Sequence, residues 1–467
     1  LPTEIIEKNF RLARVSKKIE NISTDHGPAK KVNTLAIRAA TMCAVVAQYA
    51  QVAMANGTSV ITTIDSPVNT QQGPNTPPLN GGDTLIITPT GSITTTEFAK
   101  NGVRTRGDAN QVENSGTIET TGNNALGVWA LDGNSNKVIN YGTIRVTGAN
   151  SIVLGFDGNS SIVNNWGTLS GSAASRYGIR VRGDSTTISN WGTIITASAI
   201  SSAINIDGML NNVSNFGYIE SLGTAAGIDI SGDFSRITNA GSIISKGNGA
   251  EGIYIDGSHS TIINSGIVSS TGYGIYSEGD SNEVANTGSI TTSGEEGAGV
   301  KAYYDQQKIT NSGSIKTSGY IADGISYGKE TLPGNSAVIS NSGQISTVGV
   351  GASGILAFLN SSTIESSGEI NTVGIGSYGL GVAGNSNVVR SSGAIITHGI
   401  HSHGIFSFGN SSVITNSGSI STDGDDAVGI YAIGDSNAVT NSGSIISAKS
   451  YAVYFDGSGN TLNILNN

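Results

Sequence analysis

The chain has 467 residues, 65 of them Gly and 8 Pro, with 12% charged and 6% aromatic residues. Gly stands at twice ordinary usage without recurring at every third position, and charged residues are about half the usual share, which excludes collagen and argues against a helical bundle. The net charge of −10 is unevenly spread: residues 1–55 carry eight Lys/Arg and four Asp/Glu, the remainder 16 and 30, so the body is acidic and nucleic acid is not expected as a partner.

At the N-terminus, Lys8, Arg11, Arg14, Lys17, Lys18, Lys30, Lys31 and Arg38 precede the mildly apolar run AATMCAVVAQYAQVAMA. The run closes on Ala53-Met54-Ala55, just before Asn56. Basic, then apolar, then small-x-small is the order of a secretory signal, so residues 1–55 are expected as an extended signal peptide cleaved at Ala53, Ala55 and Asn56. Cys43, the single cysteine, falls inside it. The exported body is then free of disulfides, thiolate metal sites and cysteine nucleophiles. Residues 56–82 hold Pro67, Pro74, Pro77 and Pro78 and read as a Pro-rich extended linker with room for one short strand.

From Gly91 onward one pattern recurs: Asn-x-Gly-Ser/Thr-Ile, a Ser/Thr-rich stretch, Gly-Ile, Gly-Asn/Asp-Ser, and Val/Ile-x-Asn. Fifteen marker glycines run from Gly91 to Gly443, and ten of their fourteen spacings are 25 residues. From Gly116 on, the residue two after the marker is aliphatic in 14 of 14 repeats, and the residue four before it is Val or Ile in 14 of 14. Asn stands two before it in 12 of 14, the exceptions being Ser366 and Ser391. Three short alternating segments per repeat, separated by Gly/Asn/Asp/Ser turns, are too short for helices and rich in β-branched residues. One such repeat cannot bury its own apolar face, whereas stacked repeats can. The pattern predicts an all-β right-handed parallel β-helix over residues 83–467, with three-strand coils of about 25 residues and roughly 15 coils, like residues lying about 4.8 Å apart. The Ile/Val columns form the dry interior. The Asn column turns inward, each amide bonding to the next coil. Gly at the marker and in Gly-Asn/Asp-Ser is expected to supply positive φ at the corners.

The long basic signal with Ala53-Met54-Ala55, the NSGSI-type coils (Asn311 to Ile315, Asn416 to Ile420, Asn441 to Ile445) and the cysteine-free body together resemble the β-helical passengers of autotransporters, the surface proteins that Gram-negative bacteria secrete through their own outer-membrane barrel. The resemblance implies display at the cell surface, anchored at the outer membrane, with adhesion or self-association as the role. Host-cell surface glycans or proteins, or copies of the chain itself, are the partners it implies. The family's outer-membrane barrel would lie in a C-terminal part beyond Asn467. No cofactor is expected.

Several residues are candidates for function. The position just before the marker is usually Ser, but in four consecutive coils it is Tyr141, Trp166, Trp191 and Phe216. Their rings should stack in one outward column near a turn, either as a strip for sugars or a partner or as rings that stabilise each other. Tyr254, Tyr276, Phe406 and Tyr431 form an interrupted second group, expected to be structural. His398, His401 and His403 cluster around a turn-prone Gly and are expected as solvated turn histidines rather than a metal site. Asp425-Asp426 resembles the paired carboxylates of β-helical polysaccharide hydrolases, without the further His and basic residues of that pattern. Gly-Asp-Ser at 183–185, 279–281 and 434–436 recurs where other repeats have Gly-Asn-Ser, which marks turn chemistry rather than a serine nucleophile. Glu119, Arg145, Glu220 and Lys316 interrupt the outer Ser/Thr face and exclude a regular ice-binding array. The insertion Lys329-Glu330-Thr331-Leu332-Pro333 is the one evident loop excursion. The expectation is a non-enzymatic adhesin or self-associating rod, with a carbohydrate-active β-helix enzyme, or an architectural spacer for a domain beyond the C-terminus, as the alternatives.

Overall fold

The computed structural model describes residues 59–73, 79–172, 174–328 and 334–465. The signal segment with Cys43, Ala53, Ala55 and Asn56, and the insertion Lys329–Pro333, lie outside the described residues.

The described chain is a right-handed parallel β-solenoid. Its short strands, most of four residues, fall into three sheets, each visited once per coil, and every strand pairing is parallel. The first sheet runs from Ile61–Ile64 to Thr461–Ile464 in 17 strands, and the second from Pro67–Val68 to Ser444–Ser447 in 16. The third runs from Val103–Arg106 to Val453–Asp456. Register is kept coil after coil: Ile118 is flanked by Ile93 on one side and Ile144 on the other. The Ile/Val columns of the three sheets meet in one continuous core and are almost wholly shielded from solvent. Each such side chain contributes roughly 1.5–3 kcal/mol of burial before entropy is charged against it.

The stack begins earlier than the marker pattern indicates, and this corrects the described part of the expected linker at 56–82, which holds two paired strands where room for one was expected. Ile61–Ile64 pairs with Thr84–Ile87, and Pro67–Val68 pairs with Ser92–Thr95. Leu79 is fully buried in the core, and the Asp83 carboxylate accepts from the Val60 and Asn80 N–H groups. The segment lacks a marker glycine but keeps the alternation that matters. Pro67 opens a two-residue strand, a position that a residue without an N–H tolerates. This coil brings the second sheet to 16 strands rather than 15.

The polar columns are built as the amide chemistry predicts. Asn140 Nδ2 donates to Asn165 Oδ1 at 2.8 Å, Asn165 to Asn190 at 2.7 Å and Asn190 to Asn215 at 2.8 Å, all buried. Where the column changes to Ser366, the Asn341 amide donates to the hydroxyl at 3.2 Å instead. A second inward column was not assigned a task from sequence: Thr347, Thr372, Thr397 and Thr422 each donate to the carbonyl five residues on and close the turn into the third sheet.

The glycines act differently from expectation at the marker. No marker glycine lies in the left-handed region. A Cβ on Gly192 would instead stand 2.1 Å from the Gly167 carbonyl oxygen of the coil before, and the same holds at Gly217 over Gly192. The column is Gly because backbone touches backbone there. In the Gly-Asn/Asp-Ser turns the Ser regularly takes positive φ, as in Ser160 (58°), Ser185 (58°) and Ser411 (58°), and in several of them the Gly does so as expected, as at Gly279 (100°), Gly384 (124°) and Gly434 (113°).

Candidate functional site

Tyr141, Trp166, Trp191 and Phe216 follow the inward Asn residues directly, at the corner between the first and second sheets. Each donates its backbone N–H to the Asn carbonyl of the coil before, for example Trp166 to Asn140 at 2.8 Å. The Asn side chain points in, the ring points out, and the marker glycine closes the corner. The rings form one stack: Tyr141 to Trp166 at 5.0 Å and 17°, Trp166 to Trp191 at 4.6 Å and 4°, Trp191 to Phe216 at 5.5 Å and 13°. All four remain 41–51% exposed. Because the rings stack along the coil axis, both faces of Trp166 and Trp191 are covered by neighbours. What reaches solvent is their edges, together with one face each of Tyr141 and Phe216.

The outer side of the third sheet is less uniform. Its outward column reads, in register, Arg104, Trp129, Gly155, Arg180, Asn205, Asp229, Tyr254, Tyr276 and Lys301. The first part is basic. The Arg104 guanidinium lies over the Trp129 ring at 5.1 Å, and that of Arg180 over Tyr177 at 5.0 Å. The Asp157 carboxylate accepts from Trp129 Nε1 at 2.9 Å and from Arg182 Nε at 2.6 Å.

Further along, the same face carries Asp229, Glu251 and Glu278 on successive coils. Burial raises the Asp229 carboxyl above its usual range, opposed by hydrogen bonds from Asn205 and Ser202. Burial raises Glu251 as well. Tyr254 donates its hydroxyl to Glu278 Oε2 at 2.7 Å, and Tyr276 donates to the other oxygen. Burial and then that hydrogen bond push both phenols well above their ordinary value, so both stay protonated. Tyr273 packs on Tyr276 and is pushed up to about 12, chiefly by burial. The interrupted second aromatic group is therefore two clusters. Tyr254 and Tyr276 anchor the first, while Phe406 and Tyr431 join Tyr378, His403 and Tyr454 in the second.

The three histidines do not converge. His398 Nδ1 is 2.8 Å from Asp423 Oδ2, and His401 is 4.0 Å from Asp426 at an exposed turn. His403 corrects the expectation of a solvated ring: it is buried, and Nδ1 accepts from the Val428 N–H at 3.0 Å. Burial, and then the nearby His401, lower it to about 4, so it is neutral at pH 7. Among the described residues no group of three or more His, Cys, Asp or Glu is placed to hold a metal ion. Asp425 and Asp426 point to separate partners, Asp425 to Lys449 at 2.9 Å and Asp426 toward His401. The Gly-Asp-Ser aspartates cap turns: Asp184 Oδ1 accepts from the Met209 N–H and Asp435 Oδ1 from the Ser458 N–H.

A stacked right-handed parallel β-helix with an inward Asn ladder and an outer face of changing chemistry defines the class. Within it, a family model described as BigA third pectate lyase-like domain matches residues 270–462. That stretch contains the second aromatic cluster and lies beyond both the four-ring ladder and the basic part of the third sheet. No curated protein matches the chain.

Proposed function

We propose that the chain is the β-helical passenger of an exported, surface-displayed protein that works by binding, as a non-enzymatic adhesin or a self-associating rod. The observation that carries this is the ladder Tyr141–Trp166–Trp191–Phe216: four large rings held half-exposed in one line on a rigid stack. A monomer that needed only stability would gain from covering that apolar strip, and a strip kept open on a stiff scaffold is what a partner surface requires. The covered faces of Trp166 and Trp191 favour a protein surface or a second copy over sugars lying flat on the rings. The basic, apolar, small-x-small order of residues 1–55 supports export, and the resemblance to autotransporter passengers supports anchorage at the outer membrane of a Gram-negative cell.

The test is the double variant Trp166→Ala/Trp191→Ala displayed on cells. Adhesion or cell–cell clumping is expected to fall at least tenfold with an unchanged far-UV CD spectrum. Unchanged adhesion with an intact fold would remove the ladder from the reading.

A second reading, a carbohydrate-active β-helix enzyme, draws support from Asp229, Glu251 and Glu278 on successive coils and from the description of the matching family model. Release of reducing ends from a polysaccharide by the full chain, abolished in Asp229→Asn and Glu251→Gln, would establish it in place of the first.

A further inference from the structure

Gly155 is an anomaly in the outward column of the third sheet. At the marker positions a Cβ would strike backbone, but at Gly155 it would meet only side chains, Leu126 Cδ2 at 2.5 Å and Trp129 Cδ1 at 3.6 Å. Its φ lies outside the left-handed region, so backbone conformation does not call for glycine either. What the glycine provides is space. Gly381 stands in the same column, and there the Tyr378 ring fills the gap, its Cδ2 lying 3.0 Å from where a Cβ would be. At Gly155 the end of Leu126 takes only part of it, and a shallow notch of about 100 Å³ remains between Trp129 on one coil and Arg180 on the other side.

The notch is chemically mixed in a specific way. Trp129 has Arg104 over its ring and, on the coil bearing Gly155, no side chain in register against it. Arg180 Nε is buried without a hydrogen-bond partner among the described residues. Asp157, held by Trp129 and Arg182, sits at the rim as an acceptor whose charge is balanced. The surroundings are basic against the trend of the molecule. Residues 100–182 carry eight Lys/Arg and five Asp/Glu, while residues 183–467 carry eight and 22. Arg104, Arg106, Arg180 and Arg182 all stand on strands of this one sheet.

We propose that the notch over Gly155 is a binding subsite for a sugar ring bearing an anionic substituent, a carboxylate or a sulfate. The C–H face of the ring lies on Trp129, the substituent pairs with the guanidinium of Arg180, which lines the notch, and a ring hydroxyl donates to Asp157. The subsite deepens the proposed binding role but is separate from the ladder. It rests on that reading only in that the rod meets ligands outside the cell.

The test is isothermal titration of the full chain with four probes: a heparin-derived hexasaccharide, a hyaluronan hexasaccharide, a neutral cello-oligosaccharide and AMP. Binding of the sulfated or the carboxylated probe is expected, at least tenfold tighter than the neutral one, and which of the two binds tells sulfate from carboxylate. Gly155→Val, which fills the notch, and Arg180→Gln are each expected to weaken it at least tenfold. Trp129→Leu serves the same purpose should Gly155→Val fail to fold, as judged by CD. Trp166→Ala/Trp191→Ala should bind the oligosaccharide as the wild type does, so failure of the ladder and failure of the subsite give different results. Equal binding of the neutral probe, binding of AMP alone, no binding of either anionic sugar, or wild-type affinity in Arg180→Gln would each overturn the proposal.

Discussion

The corner between the first and second sheets and the outer column of the third sheet are built from the same coils, yet they differ in kind. At the corner, Asn follows Asn and Gly follows Gly: each Asn amide is bonded to its own counterpart one coil away, and each Gly lies closely against its own. On the third sheet, Arg104, Trp129, Gly155, Arg180, Asn205, Asp229, Tyr254, Tyr276 and Lys301 follow one another, and only Tyr254 and Tyr276 repeat from one coil to the next. A position that must satisfy the coil above and the coil below with the same bond is restricted to one residue type. A position facing water is free to vary, and variation kept in strict register produces local chemistry. The four-ring ladder lies between these cases: a repeated column, but of rings where the rest of the column is mostly Ser.

The comparison is broken most severely at a marker glycine. Gly192→Ala places a Cβ 2.1 Å from the Gly167 carbonyl oxygen, where only backbone can yield. A loss of about 4 kcal/mol or more is expected, read by urea denaturation. A comparable substitution at Gly155, which meets only the movable end of Leu126, should cost far less.

Asn215→Ala comes next. It leaves the Asn190 amide without its acceptor and the Asn239 carbonyl oxygen without its donor in a buried column. The cost should be about 2–3 kcal/mol, whereas Asn215→Ser should recover part of it, as Ser366 does naturally after Asn341.

The last effect depends on pH and concerns Asp323, which is buried just before a strand of the third sheet. Burial raises its carboxyl to about 7, opposed by the Ser353 N–H and by Lys301. The folded pKa lies above the unfolded one, so the unfolded chain loses the proton first. Wild-type stability should therefore fall as pH rises from about 4 to 7, relative to Asp323→Asn. Thermal midpoints of the two proteins across that range measure it, and parallel curves would place the carboxyl in a better-solvated site. His403 acts in the opposite sense. Its folded value of about 4 lies below the unfolded one, so stability is lost as pH falls through 6 toward 4.

How much of this was readable from sequence follows the same division. The Ile and Asn columns, the three-strand coil and the four aromatic residues were legible because a fixed spacing of 25 residues implies contact once coils stack. The first coil was missed because Ile61–Ile64 and Leu79 do their work without a marker glycine. Burial of His403 was missed because it depends on the Tyr378 ring and the Val428 N–H of neighbouring coils, not on the adjacent Gly404 and His401. The notch at Gly155 carries no motif at all: Trp129, Gly155 and Arg180 lie 26 and 25 residues apart and share no residue type.

The sequence by itself determined the architecture, because every coil must offer its neighbours the same bonds, and a repeated requirement leaves a repeated residue. Which rings show their faces and which only their edges, where a glycine opens space rather than relieving a clash, and which charges gather on one side were decided by the tertiary structure. Those features depend on distances between coils, and unlike residues reveal them only when the stack is assembled.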